Sequence, residues 1–346
     1  MKRLVLCCDG SFQNLESYPT NVVKIAQATQ HRDEAGVPQV VYYDAGVGSS
    51  FFLSGVFGWG VETNIHEAYQ FLCLNYAPGD EIYCFGFSRG AYTVRSLVGL
   101  IHYAGLLPRK YIQHTGEAYR LYREIKKESE TIAEFRKNYK TFSIPITLLA
   151  CWDTVGRLGI PEVIPWLPFD RWANRKYRFH NTTLSPLVEN ALHAVAIDER
   201  HRNFVVTPME RLPNNPQQRL RQVWFPGDHM SIGGGSYHRR RLSDVSLLWM
   251  IETIQAWNLG LSFSFADVTG GLNPDFTTAI PNDIPLMFEV GGRAVREMSG
   301  SFADIHISAK RRWQQQPDYR PPNLEPFRTE LEQWNPVQQD FVGLTL

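Results

Sequence analysis

The stretch Ile82-Tyr83-Cys84-Phe85-Gly86-Phe87-Ser88-Arg89-Gly90-Ala91 decides how this chain is read. Residues 81–85 are an apolar run with β-branched and aromatic side chains, the composition of a strand. The run stops at Gly86, and Ala91, Val94, Leu97, Val98 and Ile101 then follow at helical spacing. Gly-x-Ser-x-Gly between a strand and a helix is the setting of a nucleophile elbow, where a sharp turn strains the serine backbone and stands the side chain above the sheet edge. Gly86 and Gly90 are small because a side chain there would meet the strand or the helix. The helix behind Ser88 offers free N–H groups that favour negative charge. Outside that setting the pattern is weak, and the plain alternative is a βα turn with an incidental serine.

Outward from the elbow, strand and helix patterns alternate. Residues 4–8 form a continuous apolar run ending at Asp9-Gly10-Ser11, as in parallel sheets covered on both faces. A helix is expected over 21–30, capped by Thr20 or Asn21. A strand over 39–43 closes at Asp44-Ala45-Gly46-Val47-Gly48. Residues 49–60, rich in glycine and aromatics, read as a loop, and 61–76 as a helix. A charged helical stretch spans 117–139, and a strand over 146–152 ends at Asp153-Thr154-Val155-Gly156. Residues 157–182 fit no regular element and carry Ile160, Trp166, Phe169 and Trp172, a lid-like insertion. Residues 186–197 read as a helix. A strand over 222–225 runs into Pro226-Gly227-Asp228-His229, and a helix over 242–258 follows Gly233-Gly234-Gly235. The tail from about 265 to 346 is expected to wrap the domain. The pattern predicts one α/β domain over 1–346, a doubly wound, mostly parallel sheet. In such sheets ligands bind at the carboxyl ends of the strands.

The 346 residues balance 35 basic against 35 acidic side chains, which argues against nucleic acid as a partner. Cys7, Cys8, Cys73, Cys84 and Cys151 fall inside expected strands and one helix with no Cys-x-x-Cys spacing, so they read as buried thiols of a reducing compartment. The N-terminal run Leu4-Val5-Leu6-Cys7-Cys8 is too short for a leader and is cut off by Asp9-Gly10. No stretch approaches the roughly 20 apolar residues of a membrane span. A cytoplasmic location follows as the expectation, with delivery by a secretion system left open.

A serine hydroxyl attacks only when a base takes its proton, and a carboxylate orients that base. Ser88, Asp153 and His229 stand in the chain order of α/β-hydrolases, each just after an expected strand. They are read as nucleophile, orienting acid and general base. Asp228 is a rival for the acid, but adjacent side chains in an extended segment point apart. The backbone N–H of Arg89 is the first oxyanion donor and Gly10 the candidate for the second. Asp9, Ser11, Phe87, Asp228 and Trp166 are the candidate substrate contacts. The apolar segments 51–59 and 160–172 are suited to an acyl chain or a membrane surface. No cofactor is implied.

Other readings are weaker. A phosphatase of the haloacid dehalogenase type needs an aspartate where Cys7 stands. A metal-dependent phosphoesterase built on Asp9, Asp153, Asp228 and His229 lacks any His-x-His or Cys-x-x-Cys spacing. Gly233-Gly234-Gly235 lacks the lysine of a phosphate loop. The run His238-Arg239-Arg240-Arg241 reads as a solvated patch or a contact for anionic head groups. A non-catalytic binding module on a hydrolase fold is the alternative from another class.

Several motifs together resemble the α/β-hydrolases related to the phospholipase effectors of bacterial type VI secretion. They are Cys8-Asp9-Gly10-Ser11 with Asn14, Gly86 to Ala91, Trp152 to Gly156, and Trp224 to His229 leading to Gly233-Gly234-Gly235. Softer matches are Tyr43 to Gly48, Ala196-Ile197-Asp198-Glu199-Arg200 and Leu242-Ser243-Asp244 with Trp249-Met250. The likeness covers roughly residues 1 to 260. It departs after His229, where Met230-Ser231-Ile232 replaces the frequent Ser-Asp-Val. The resemblance implies a Ser88–Asp153–His229 triad and ester hydrolysis, with phospholipids as one substrate class. It does not establish secretion or toxicity.

Overall fold

The apolar runs become strands β1 (Arg3–Cys8), β2 (Gln39–Asp44), β3 (Glu81–Phe87), β4 (Leu148–Trp152), β5 (Asn190–Ala196) and β6 (Arg219–Phe225). They form one parallel sheet in the order β2-β1-β3-β4-β5-β6. The computed structural model describes residues 1–10, 18–46, 57–124, 129–155, 182–266, 268–281 and 292–335. The lid-like insertion, up to residue 181, and the loop over 49–56 lie outside them, as do Ser11, Asn14 and Trp166.

Period-two alternation splits the strands between two cores. Leu4, Leu6, Cys8, Ile82, Cys84, Leu149 and Cys151 meet α2 (Phe57–Asn75) and α3 (Arg89–Ala104) on one face. Val5, Cys7, Tyr83, Phe85, Leu148, Ala150 and Trp152 meet α1 (Asn21–Ala28) on the other, together with a later helix that also carries Leu247, Met250 and Ile254. Helices on both faces make the doubly wound, α/β-hydrolase-like arrangement expected. The sheet is parallel throughout among the described residues.

Three expectations are corrected. The segment over 186–197 is not a helix: it holds β5, between β4 and β6. Its sequence Asn-Ala-Leu-His-Ala-Val-Ala is rich in helix formers, and every residue of it is buried. A strand buried on both faces shows no polar alternation, so tertiary context overrides local propensity. The stretch over 117–139 holds two helices, α4 (Thr115–Arg123) and α5 (Ser129–Tyr139). Helix α2 begins at Phe57, inside the expected loop.

After β6 come the short α6 (His229–Gly233) and the long α7 (Arg240–Ala256), which closes the second core. The tail supplies α8 (Ile307–Gln315) and α9 (Arg328–Gln333). It covers the β6 edge: Ile305 bridges Trp224, the His306 N–H donates to the Trp224 carbonyl at 2.9 Å, and Trp313, Leu324 and Leu331 complete a third core there. Covering an edge removes a row of unpaired backbone groups.

The chain steps from β1 to β2, then returns to the far side of β1 as β3. The topological switch point therefore lies between β1 and β3, where the Asp9 and Ser88 turns leave the sheet.

Candidate active site

Ser88 sits between β3 and α3 with φ 55° and ψ −118°, a conformation that costs a non-glycine residue about 1–3 kcal/mol. The surroundings enforce it. The Ser88 N–H donates to the Trp152 carbonyl at 3.0 Å, which ties the turn to the end of β4. A Cβ at Gly90 would lie 2.0 Å from the Cys8 carbonyl oxygen, so α3 presses directly on β1.

Asp153 follows β4, is fully buried and has a positive φ of 42°. Its N–H donates to the Ala194 carbonyl at 2.8 Å, and the next N–H, of Thr154, donates to His193 Nε2 at 3.1 Å. His193 Nδ1 lies 2.8 Å from Gln222 Oε1. Nε2 accepts here, so the ring is neutral, with its proton on Nδ1. Burial, reinforced by the nearby Arg95 charge, lowers the His193 pKa from 6.5 to about 4. The unfolded chain therefore takes up a proton at this residue that the fold refuses. The stabilisation from His193 is complete above about pH 6.5 and is lost as pH falls toward about 4, by about 3 kcal/mol at most. We expect His193→Gln to flatten the rise of stability between those pH values in urea titrations. An unchanged slope would refute the buried neutral imidazole.

His229 opens α6 beyond β6. Its N-cap Asp228 accepts from the Ser231 N–H and hydroxyl, each at 2.8 Å, and pairs with Arg239 at 3.0 Å. The Asp228 carboxylate is thus a cap and anchor for the histidine turn. The imidazole lies between two rings: Phe87, with centroids 4.8 Å apart, and Phe204, stacked within 13° at 4.8 Å. The His229 N–H donates to Glu199 Oε2 at 3.1 Å.

These turns bring the three expected residues into one hydrogen-bonded line. His229 Nε2 is 2.9 Å from Ser88 Oγ, and Nδ1 is 2.6 Å from Asp153 Oδ2. An ionised carboxylate only accepts, so the imidazole proton sits on Nδ1 and the Nε2 lone pair faces the hydroxyl. Burial alone would push the Asp153 pKa up. The Arg296 charge and the bonds from His229 and Arg296 outweigh it and hold the carboxyl well below the usual range.

The other expected residues are placed as follows. Asp9 is 1% exposed, and its carboxylate accepts from Thr20 Oγ1 at 2.7 Å, Tyr43 OH at 3.0 Å and the Gly10 N–H at 2.7 Å. Burial raises its pKa to about 6 against those bonds. Gly10 lies beside Ser88, a Cβ there falling 3.4 Å from the Ser88 Cβ, but its N–H is engaged by Asp9. Arg89 is the first residue of α3. Phe87 is 1% exposed and packs beneath His229 and against Gly233. Asp9, Asp153 and Asp228 each have their own protein partners. The run 238–241 is used internally: Arg239 binds Asp228, Arg241 pairs with Asp275 at 3.0 Å, and Arg240 stacks on Tyr237.

The sequence gives no sign of Phe204, His193 or Arg296 as site residues, and Glu199 stands only within a softer motif match, without a role. Glu199 has a signal, an acid just after an apolar run as at Asp9 and Asp153, masked by the helix-forming composition of that run. Arg296 has none.

With this geometry in hand, the chain can be compared with known proteins. The sequence model of the catalytic domain of type VI secretion phospholipase effectors of the Tle1-like kind matches residues 2–253. The chain belongs to this family. A Saccharomyces cerevisiae protein described as uncharacterized is 30% identical over 244 residues, 61% of this chain and 34% of the yeast protein. A solved structure of an uncharacterized Pseudomonas aeruginosa protein is 14% identical, covering 79% of this chain and 49% of that one at a TM-score of 0.49. The Tle1 effector bound to the VgrG spike is 15% identical, covering 67% and 51% at a TM-score of 0.34. The chain thus spans from about a third to about half of the length of these relatives. Among the described residues, no helix is long and apolar enough to cross a membrane.

Proposed function

We propose that the chain is a serine hydrolase that cleaves carboxylic esters of lipids, phospholipids among them, through an acyl-enzyme. The observation that carries this reading is the unbroken line Ser88 Oγ–His229 Nε2, His229 Nδ1–Asp153 Oδ2, at 2.9 and 2.6 Å. His229 takes the Ser88 proton as Oγ attacks the ester carbonyl. Asp153 holds the imidazole in the correct tautomer and stabilises the imidazolium that forms. The negative oxygen of the tetrahedral intermediate develops at the start of α3, where the Arg89 N–H is the first donor. Gly10 supplies a second N–H when it exchanges Asp9 for the oxyanion. His229 then protonates the leaving alcohol. Water, deprotonated by the same nitrogen, releases the acid and restores Ser88.

Membership of the phospholipase-effector family supports the lipid substrate. So does the rim of the site. Residues 200–206 and 292–296 run side by side, joined by the Ala294 N–H to the Arg200 carbonyl at 2.7 Å. Val205 and Val295 on them are 55% and 51% exposed, next to residues that touch His229 and Asp153. With the exposed Arg200, Arg202 and Arg293 on the same two segments, they give an apolar and basic edge suited to an anionic lipid surface.

The test is intact-mass labelling with a fluorophosphonate, followed by phospholipid vesicle hydrolysis in the presence and absence of chelator. One adduct mapping to Ser88, with chelator-resistant release of fatty acid, is the expected result. No adduct on folded protein, with or without detergent, overturns the reading. Activity lost to chelator and kept without Ser88 points instead to a metal-dependent phosphoesterase.

A further inference from the structure

We infer that Arg296 is a positioning residue of this hydrolytic site, and that the catalytic unit extends past residue 253 to the segment around it. The inference rests on the serine-hydrolase reading above.

The guanidinium makes four contacts that meet at the triad. Nη1 donates to Asp153 Oδ1 at 2.6 Å and to the Ala196 carbonyl at 3.2 Å. Nη2 donates to Asp153 Oδ2 at 2.9 Å and to the Phe204 carbonyl at 2.6 Å. A planar fork matches a carboxylate edge to edge, so it fixes the rotation of the Asp153 carboxylate as well as its place. That rotation aims Oδ2 at His229 Nδ1. The contact to Phe204 anchors the ring that stacks on the imidazole. One side chain thus sets both the acid and the plate behind the base. It also joins the tail to the ends of β4 and β5.

Asp153 is fully buried and bonds the His229 ring, while Glu199, 2% exposed, accepts from the His229 backbone N–H. Among the Asp153, Glu199 and Arg296 side chains, two negative charges and Arg296 leave one net negative charge. It is cancelled when His229 takes the serine proton. Without Arg296 the same pocket holds two negative charges and draws a proton onto the Asp153–His229 pair at rest. A protonated resting pair cannot accept the Ser88 proton.

No local signal marks Arg296, which stands 143 positions from Asp153 and outside the region that the family model matches. It belongs to a stretch, 292–296, that reads as part of a proline-rich wrap.

The experiment uses the full chain with Arg296→Met and Arg296→Lys, a soluble ester, and fluorophosphonate titration of active sites. For Arg296→Met we expect kcat to fall about 10²- to 10³-fold with KM near wild type, because the group acts on catalytic geometry and not on substrate. The acid limb of kcat/KM moves to higher pH. Glu199, His193, His201 and Asp228 stay in every variant, so the difference isolates Arg296. Arg296→Lys keeps the charge and loses the fork: the acid limb stays near wild type while kcat falls. Methylguanidinium should restore part of the Arg296→Met activity. If Arg296→Met does not fold, the lysine variant carries the test. A lysine variant with wild-type kcat, or a folded methionine variant with wild-type kcat and pH profile, overturns the inference. Failure of the wild-type chain to label at Ser88 overturns the underlying reading instead.

Discussion

Replacing Ser88 by alanine will remove ester hydrolysis and fluorophosphonate labelling together, with kcat down by about 10⁶-fold. The size follows from the chemistry: without Oγ no acyl-enzyme forms, and only the oxyanion donors and binding remain. His229→Ala should cost about as much, and the double variant no more than either, because the members of such a line act as a unit. Asp153→Asn should cost about 10⁴-fold by favouring the wrong tautomer. In this protein it should also destabilise the fold, since Arg296 then faces a neutral amide in a buried site. Stability separates the two replacements of Ser88. Its φ of 55° suits glycine, so Ser88→Gly should be inactive yet more stable than Ser88→Ala by about 1 kcal/mol. Rates on a soluble ester and urea midpoints check both halves. Residual turnover in Ser88→Ala above about one part in a hundred would remove Ser88 from the mechanism.

Gly90→Ala carries the second large effect, with a sign opposite to helix propensity. An alanine in a helix is ordinarily better than glycine by about 1 kcal/mol. Here the new Cβ would stand 2.0 Å from the Cys8 carbonyl oxygen, 2.4 Å from its carbon and 2.5 Å from the Asp9 carbonyl oxygen. Those atoms are backbone at the end of β1, which is paired on both sides by β2 and β3. They have no rotamer by which to yield. The cost is therefore expected at the upper end for overpacking, about 3 kcal/mol or more. Activity should fall too, because separating α3 from β1 moves Arg89 and the Ser88 turn. Gly116→Ala is the control: it lies in α4 with nothing within 4 Å of the added Cβ, and should stabilise by about 0.5–1 kcal/mol. Thermal and urea unfolding of the pair decide the matter. Equal stability of Gly90→Ala and wild type would deny the close approach of helix and strand.

The elements that the sequence alone determined share one property: their signal is local. The run 81–85, the two glycines and the helical spacing after them occupy some twenty consecutive residues, and they produce β3, the strained Ser88 turn and α3. Asp153 and His229 were legible for the same reason, each a polar residue just beyond an apolar run. Chain order then singled them out as partners of Ser88. The parallel sheet followed from runs too apolar to have a wet face.

Tertiary structure alone decided the rest. Strand β5 carries helix-forming residues and becomes a strand because β4 and β6 offer it hydrogen bonds on both edges. Only once β5 is a strand does Glu199, three residues past its end, stand beside the other strand-end acids. Asp228 is chemically as good an acid as Asp153. What separates them is that Asp228 turns back to cap α6 and bind Arg239, while Asp153 faces His229. Gly10 has the freedom an oxyanion loop needs, but whether its N–H is free depends on Asp9, whose carboxylate holds it. Arg296 reaches Asp153 across 143 positions of chain. Periodicity and motif spacing report on neighbours along the chain. A contact between distant residues is set by packing, and its energy appears only once the strands and the tail have been brought together.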